Sequence, residues 1–106
     1  MKNPKQISWK DPVAYEDGSA FTATDFRAYE LGHSKSTTPP ANALLALPVA
    51  FGVGTSPIPD QVKQTLGTSF LFLRTVDYTG QTSVWTAPVE VRFTGRPLAP
   101  DSVTVS

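Results

Sequence analysis

Residues 68–78 read TSFLFLRTVDY. In a β-strand, successive side chains point to opposite faces, so a half-buried strand carries one apolar face and one polar face. Here Leu71 and Leu73 fall on one face and Phe70 and Phe72 on the other. Both faces are apolar, and the chain must supply or find a cover for the second.

The rest of the chain has the texture of short strands broken by turns. Thr occurs 13 times, Val 10 and Pro 10, a mix that suits strands and their punctuation better than helices. KQISWK alternates, with Ile7 and Trp9 sharing a face. DFRAYEL is a second strand, with Phe26 and Ala28 on one side and Tyr29 and Leu31 on the other. VEVRF groups Val89, Val91 and Phe93. Between these lie a loop with Asp11-Pro12 and Asp17-Gly18, a Pro-rich loop at 32–42, and an apolar stretch split by Pro48. A connection follows with a short strand or turn at Val62–Leu66, and then a turn at Thr79-Gly80. The last residues, RPLAPDSVTVS, read as a linker and a short strand with Val103 and Val105 on one face. About seven short strands at regular spacing argue for an all-β sandwich or barrel.

The chain has 106 residues, one domain's worth, and a chain of this length buries roughly two thirds of its unfolded surface without staples. It has no cysteine, hence no disulfide, thiolate metal site or cysteine nucleophile. Nine basic residues balance nine acidic ones, which argues against nucleic acid as the main partner and leaves little repulsion between copies. No stretch reaches 18 apolar residues, so no membrane-spanning helix is expected. The N-terminus lacks the apolar run of a signal peptide. Met1-Lys2 suits a native start and equally a cloned fragment.

Reaction chemistry is sparse. His33, the single histidine, reads as a solvated loop residue. GVGTS at 52–56 has glycines but no following Lys or helix, and reads as a turn. Asp11, Glu16 and Asp17 share a loop and are better explained by solvation than by cation binding. No nucleophile elbow and no metal-ligand spacing occurs. The expectation is a non-enzyme with no catalytic residues, no metal and no cofactor.

ISW opening a strand, DGSAFTATDFRAYE, FLFLRTVDYTGQTS and APVEV occur in that order. Over residues 6–94 this resembles a bacterial-type fibronectin type III domain. Trp9, Gly18-Ser19, Phe26, Val76-Asp77-Tyr78-Thr79-Gly80 and Ala87-Pro88 occupy the family's places. The resemblance implies an immunoglobulin-like (fibronectin type III-like) β-sandwich over residues 1–94, with a linker and C-terminal arm over 95–106. Trp9, Phe26, Leu71 and Leu73 would be its core anchors. Three departures stand out. The family's Tyr near the start of strand F is missing, with Ser69 and Phe70 in its place and Leu66 upstream. The stretch 33–68 is long and apolar. Six residues precede the Trp9 strand, so strand A is short or absent. The tail resembles such a strand A, which implies a slice of a tandem array, a C-terminal arm, or donation of the tail to a neighbouring copy.

In that arrangement Leu71, Leu73 and Thr75 face inward, while Phe70, Phe72, Arg74 and Val76 face outward beside Tyr29 and Leu31. Either Leu44, Leu45, Leu47, Val49 and Phe51 fold over that face, or it docks on a partner. The candidate interface is Phe70, Phe72, Tyr29, Tyr78, Trp85, Val103 and Val105. Tyr78 and Trp85 would contact protein or carbohydrate, with a half-buried Trp85 at an edge as the alternative. The expected function is a non-catalytic structural or adhesion module of a larger assembly, through self-association or another protein. The setting is a phage virion accessory (decoration, neck or tail), or else a spacer or accessory module of a secreted bacterial enzyme or adhesin at the cell surface.

Overall fold

The computed structural model describes residues 2–106. Two antiparallel sheets contribute to one core. The strands are β1 (Gln6–Ser8), β2 (Phe26–Ser34), β3 (Leu45–Leu47), β4 (Thr55–Pro57), β5 (Gly67–Asp77) and β6 (Val89–Phe93), with one helical turn, α1 (Asp60–Lys63), before β5. The larger sheet has the order β3-β2-β5-β6 and the smaller one pairs β1 with β4. No helix is long and apolar enough to cross a membrane among the described residues.

β5, the opening stretch, is the long central strand. Leu31 lies opposite Leu73 and Tyr29 opposite Thr75. Leu71 (2% exposed), Leu31 (1%) and Tyr29 (1%) are buried in the core, with Leu73 packed against it. The inward set on β5 is therefore Leu71, Leu73 and Thr75, as alternation predicts. Tyr29 and Leu31 join that inward set rather than standing outside beside Phe72. The cause is a register shift between Phe26 and Ala28: Phe26 pairs with Asp77 but Ala28 with Val76. The extra residue, Arg27, resets the parity of the strand. Phe26 and Tyr29, on opposite faces by strict alternation, meet on the core side with centroids 4.7 Å apart.

Trp9 fills the space between the sheets, edge-on to Tyr29 at 5.0 Å. Its indole Nε1 is buried without a hydrogen-bond partner of good geometry. From the smaller sheet and its connection come Ile7, Ile58 and Val62; from the larger, Leu47, Val91 and Phe93. Val62 arrives on α1 rather than on a strand or turn, and is fully buried. Val89 shares a face with Val91 and Phe93 but is 55% exposed at the strand's open end.

The outer face of the larger sheet has its own cover. Gly32 lies opposite Phe72, and a Cβ on Gly32 would meet Pro40 Cγ at 2.9 Å and the Trp85 ring at 3.1 Å. Trp85 sits edge-on to Phe72 (6.4 Å, 65°) and stacks under the Arg74 guanidinium at 4.3 Å. Arg74 in turn bridges to Glu30, its cross-strand partner, at 2.8 Å. Phe72 is 1% exposed as a result. The cover thus comes from Trp85 and Pro40, not from Leu44 to Phe51. Leu45 and Leu47 extend the sheet edgewise as β3 instead.

The segment 81–86 delivers Trp85 by clinging to the edge of β5. Ser83 N donates to Thr75 O (2.8 Å) and Thr86 N to Leu73 O (2.9 Å). The Ser83 and Thr86 hydroxyls accept from Thr75 N and Leu73 N. Two steps along β5 match three along this segment, a bulge-like offset that aims Trp85 over the sheet.

Beyond Phe93 no strand forms, and Val103 and Val105 lie exposed on an extended arm, so the tail strand expected from alternation is not made within one chain. The radius of gyration is 17.6 Å, against about 13 Å for a compact domain of this length. The extents of 72 × 27 × 20 Å place that excess along one axis.

Candidate functional site: the loop pole

At one end of the domain, residues 12–25 and 77–84 surround an open depression of about 670 Å³. Tyr15 and Phe21 line it and begin a chain of rings that runs behind it. Tyr15, Phe21, Phe51 and Phe26 follow one another with centroids 5.2, 5.9 and 5.4 Å apart, and Phe26 continues to Tyr29 and the core. This chain of rings ties a turn-rich loop to the core.

Asp77 ends β5 at this pole and is 5% exposed. Its Oδ1 accepts from Thr79 N (3.0 Å), Thr79 Oγ1 (2.6 Å) and Gln81 N (2.9 Å), and its Oδ2 from the Tyr15 hydroxyl (3.3 Å). The Thr79 hydroxyl leads in holding this carboxyl below the usual carboxylate range, against the opposing cost of burial. Gly80, at φ +90°, takes the left-handed conformation that closes the turn and donates its N–H to Asp77 O. Asp25 is similarly used, accepting from Thr22 N and the Thr22 hydroxyl, while Tyr78 N donates to Asp25 O. Asp17 accepts from Ser19 N and Oγ, and the Ser19 hydroxyl lowers its pKa. Desolvation and the neighbouring carboxylates Asp25 and Asp77 raise the Tyr15 phenol.

Asp17, Asp25 and Asp77 are engaged as structural acceptors; Glu16 also lines the depression, and no histidine, cysteine or lysine does. Tyr78 (66% exposed) and Val84 (83%) stand on one rim and Val13 (81%) lies next to the other.

Of the expected interface residues, Tyr78 lies at this pole. Trp85 is half-buried over the outer sheet face and Phe70 half-buried on that face, while Val103 and Val105 stand on the arm. Tyr29 and Phe72 are interior. The Tyr29 hydroxyl donates to Asp11, and burial followed by that carboxylate raises its pKa. Asp11 also accepts from Gly52 N at 3.0 Å, so it is a strut between the entry loop and the β3–β4 connection rather than a solvated loop acid. His33 is likewise structural. It lies in β2, pairs its Nε2 with the buried Ser69 hydroxyl at 2.8 Å, and has its pKa lowered by burial and then by Lys35. Val13 and Val84 escaped the sequence reading because a single Val in a polar turn gives no periodicity.

No group of three or more His, Cys, Asp or Glu residues suited to a metal ion occurs among the described residues. Comparison with protein-family models, curated proteins and solved structures finds no match for this chain.

Proposed function

We propose that the chain is a fibronectin type III-like sandwich acting as a non-catalytic structural or adhesion module, making protein–protein contacts in a larger assembly. The strand order supports the family reading. β3-β2-β5-β6 corresponds to a C′-C-F-G sheet and β1-β4 to a B-E pair, with Trp9 one residue after β1 and the strand A position vacant. The observation that carries the functional reading is the loop pole. Asp17, Asp25 and Asp77 are spent on the turns, and Tyr78 and Val84 present apolar surface on the rim of a shallow basin, with Val13 exposed beside it. A Tyr with isolated apolar neighbours at the end of a rigid sandwich suits a contact site, because its ring buries much area at little entropic cost. Fold and site together support this reading.

A phage virion accessory is the setting we favour; a spacer or accessory module of a secreted bacterial enzyme or adhesin is the alternative. Sedimentation of particles from the source organism tests it. The chain should travel with assembled virions and add back to particles lacking it, and Tyr78→Ala with Val84→Asp should abolish add-back. A chain found only in the medium or joined in frame to a catalytic domain would replace the first setting by the second. Turnover of a substrate that Tyr78→Ala abolishes would overturn the non-catalytic reading.

A further inference from the structure

The smaller sheet has two strands, and its two edges are not alike. Ile58 N donates to Lys5 O (3.1 Å) and Trp9 N to Gly54 O (2.9 Å), so the odd-numbered residues of β1 turn their backbone groups toward β4. In an antiparallel ladder the residues between them turn theirs the other way. Gln6 and Ser8 therefore present backbone donors and acceptors on the far edge, where no strand pairs among the described residues. The opposite edge, on β4, carries Pro57, which has no N–H to offer. The β1 edge has no such guard between Pro4 and Pro12. Ile7 and Trp9, the side chains that face inward there, are only half-buried.

The chain carries a segment that fits this edge. Residues 101–106, DSVTVS, follow Pro100, contain neither Pro nor Gly, and alternate polar with apolar. Val103 is 84% and Val105 94% exposed. We propose that this segment of one copy adds as a third strand to the open edge of β1 in a second copy. It runs antiparallel, with Val103 opposite Trp9, Thr104 opposite Ser8 and Val105 opposite Ile7. In this register both valines fall on the core side and cover the half-buried pair. Ser102, Thr104 and Ser106 face outward with Lys10, Ser8 and Gln6, and Pro100 lies beyond the ladder.

The place where the arm departs favours a second copy. Thr94 is bound to Asn3 through Thr94 N to Asn3 Oδ1 (3.1 Å) and Asn3 Nδ2 to Thr94 Oγ1 (2.9 Å). The arm therefore leaves beside the start of β1, whereas an antiparallel partner must enter beside its end, at Lys10. The arm's valines are exposed, and its dozen residues span about 40 Å when extended. Zero formal charge leaves little repulsion between copies. The proposal rests on the assembly reading above and names one of its contacts.

The chain has no cysteine, so single cysteines report position without background. Ser8→Cys chains and Thr104→Cys chains, distinguished by mass, are mixed and oxidised, while light scattering follows the unmodified chain. The expected results are a mixed disulfide joining one variant to the other beyond the proportion random oxidation yields, an unmodified chain that exceeds monomer mass at high concentration, and a folded, strictly monomeric Val103→Asp/Val105→Asp variant. The proposal is overturned by a strict monomer, by a random disulfide distribution, or by a Ser8→Cys/Thr104→Cys double variant that closes within one chain. Particle add-back of Val103→Asp/Val105→Asp separates the two ideas. Retained binding leaves the loop-pole reading standing if arm donation fails.

Discussion

Replacing Phe72 by Ala tests whether the outer face of the larger sheet is a sealed layer. Phe72 is 1% exposed, lies opposite Gly32 and is roofed by Trp85 and Pro40. Buried Phe→Ala changes cost about 3–5 kcal/mol, the size depending on how far the site collapses. The lower end applies here. Trp85 sits on a half-exposed segment and can sink toward the vacancy, whereas Gly32 has no side chain with which to fill it. A loss of about 3 kcal/mol is a large share of the roughly 5–15 kcal/mol that holds a small domain. With a urea slope of about 1.5 kcal/mol/M, the midpoint should fall by about 2 M. Urea denaturation followed by tryptophan fluorescence and by circular dichroism measures this. The cycle with Trp85→Ala should show a coupling of about 1 kcal/mol, because each ring is the other's partner. An unchanged midpoint for Phe72→Ala, or strict additivity in the cycle, would refute the sealed-face account. Loss of self-association without loss of stability would return Phe72 to a docking surface.

Gly32→Ala should destabilise by about 1–3 kcal/mol and red-shift the Trp85 emission, since the added methyl meets Pro40 and the indole at 2.9–3.1 Å. Tyr29→Phe removes the donor to Asp11 and should cost about 1–2 kcal/mol in the same denaturation assay, with Gly52 N the remaining partner of that carboxylate. The depressed Asp77 carboxyl stabilises the fold above the unfolded carboxylate pKa, and that contribution is lost as pH falls through the folded value. Asp77→Asn should lower stability at neutral pH and flatten the acid limb of a Tm–pH curve below about pH 4. His33, with its folded pKa lowered, contributes fully above about pH 6.5 and loses that contribution as pH falls toward the folded value. His33→Gln should therefore remove a Tm slope just below pH 6.5.

Much of the strand content was legible. LFLRTV, VEVRF and QIS are strands where alternation put them, and Trp9 packs on the core. Alternation failed at DFRAYEL, because a bulge at Arg27 is a property of pairing with Asp77 and Val76, not of the residues themselves. The four residues of α1 carry too few positions to show a helical stripe. At the loop pole, Asp77-x-x-Gly80 announced a turn. Tyr78 and Val84 on the rim and Val13 beside it come from separate segments and left no pattern to read.

The amino-acid order alone determined the all-β class, the doubly apolar central strand, and a composition with no cysteine and one histidine, since each follows from local periodicity or from residue type. The tertiary structure decided what covers Phe72, which way Tyr29 points, that Asp11 and His33 are structural, and that one sheet edge stands open. Those are matters of long-range partnership. A side chain's surroundings are set by segments tens of residues away, and no local pattern encodes which of them will arrive.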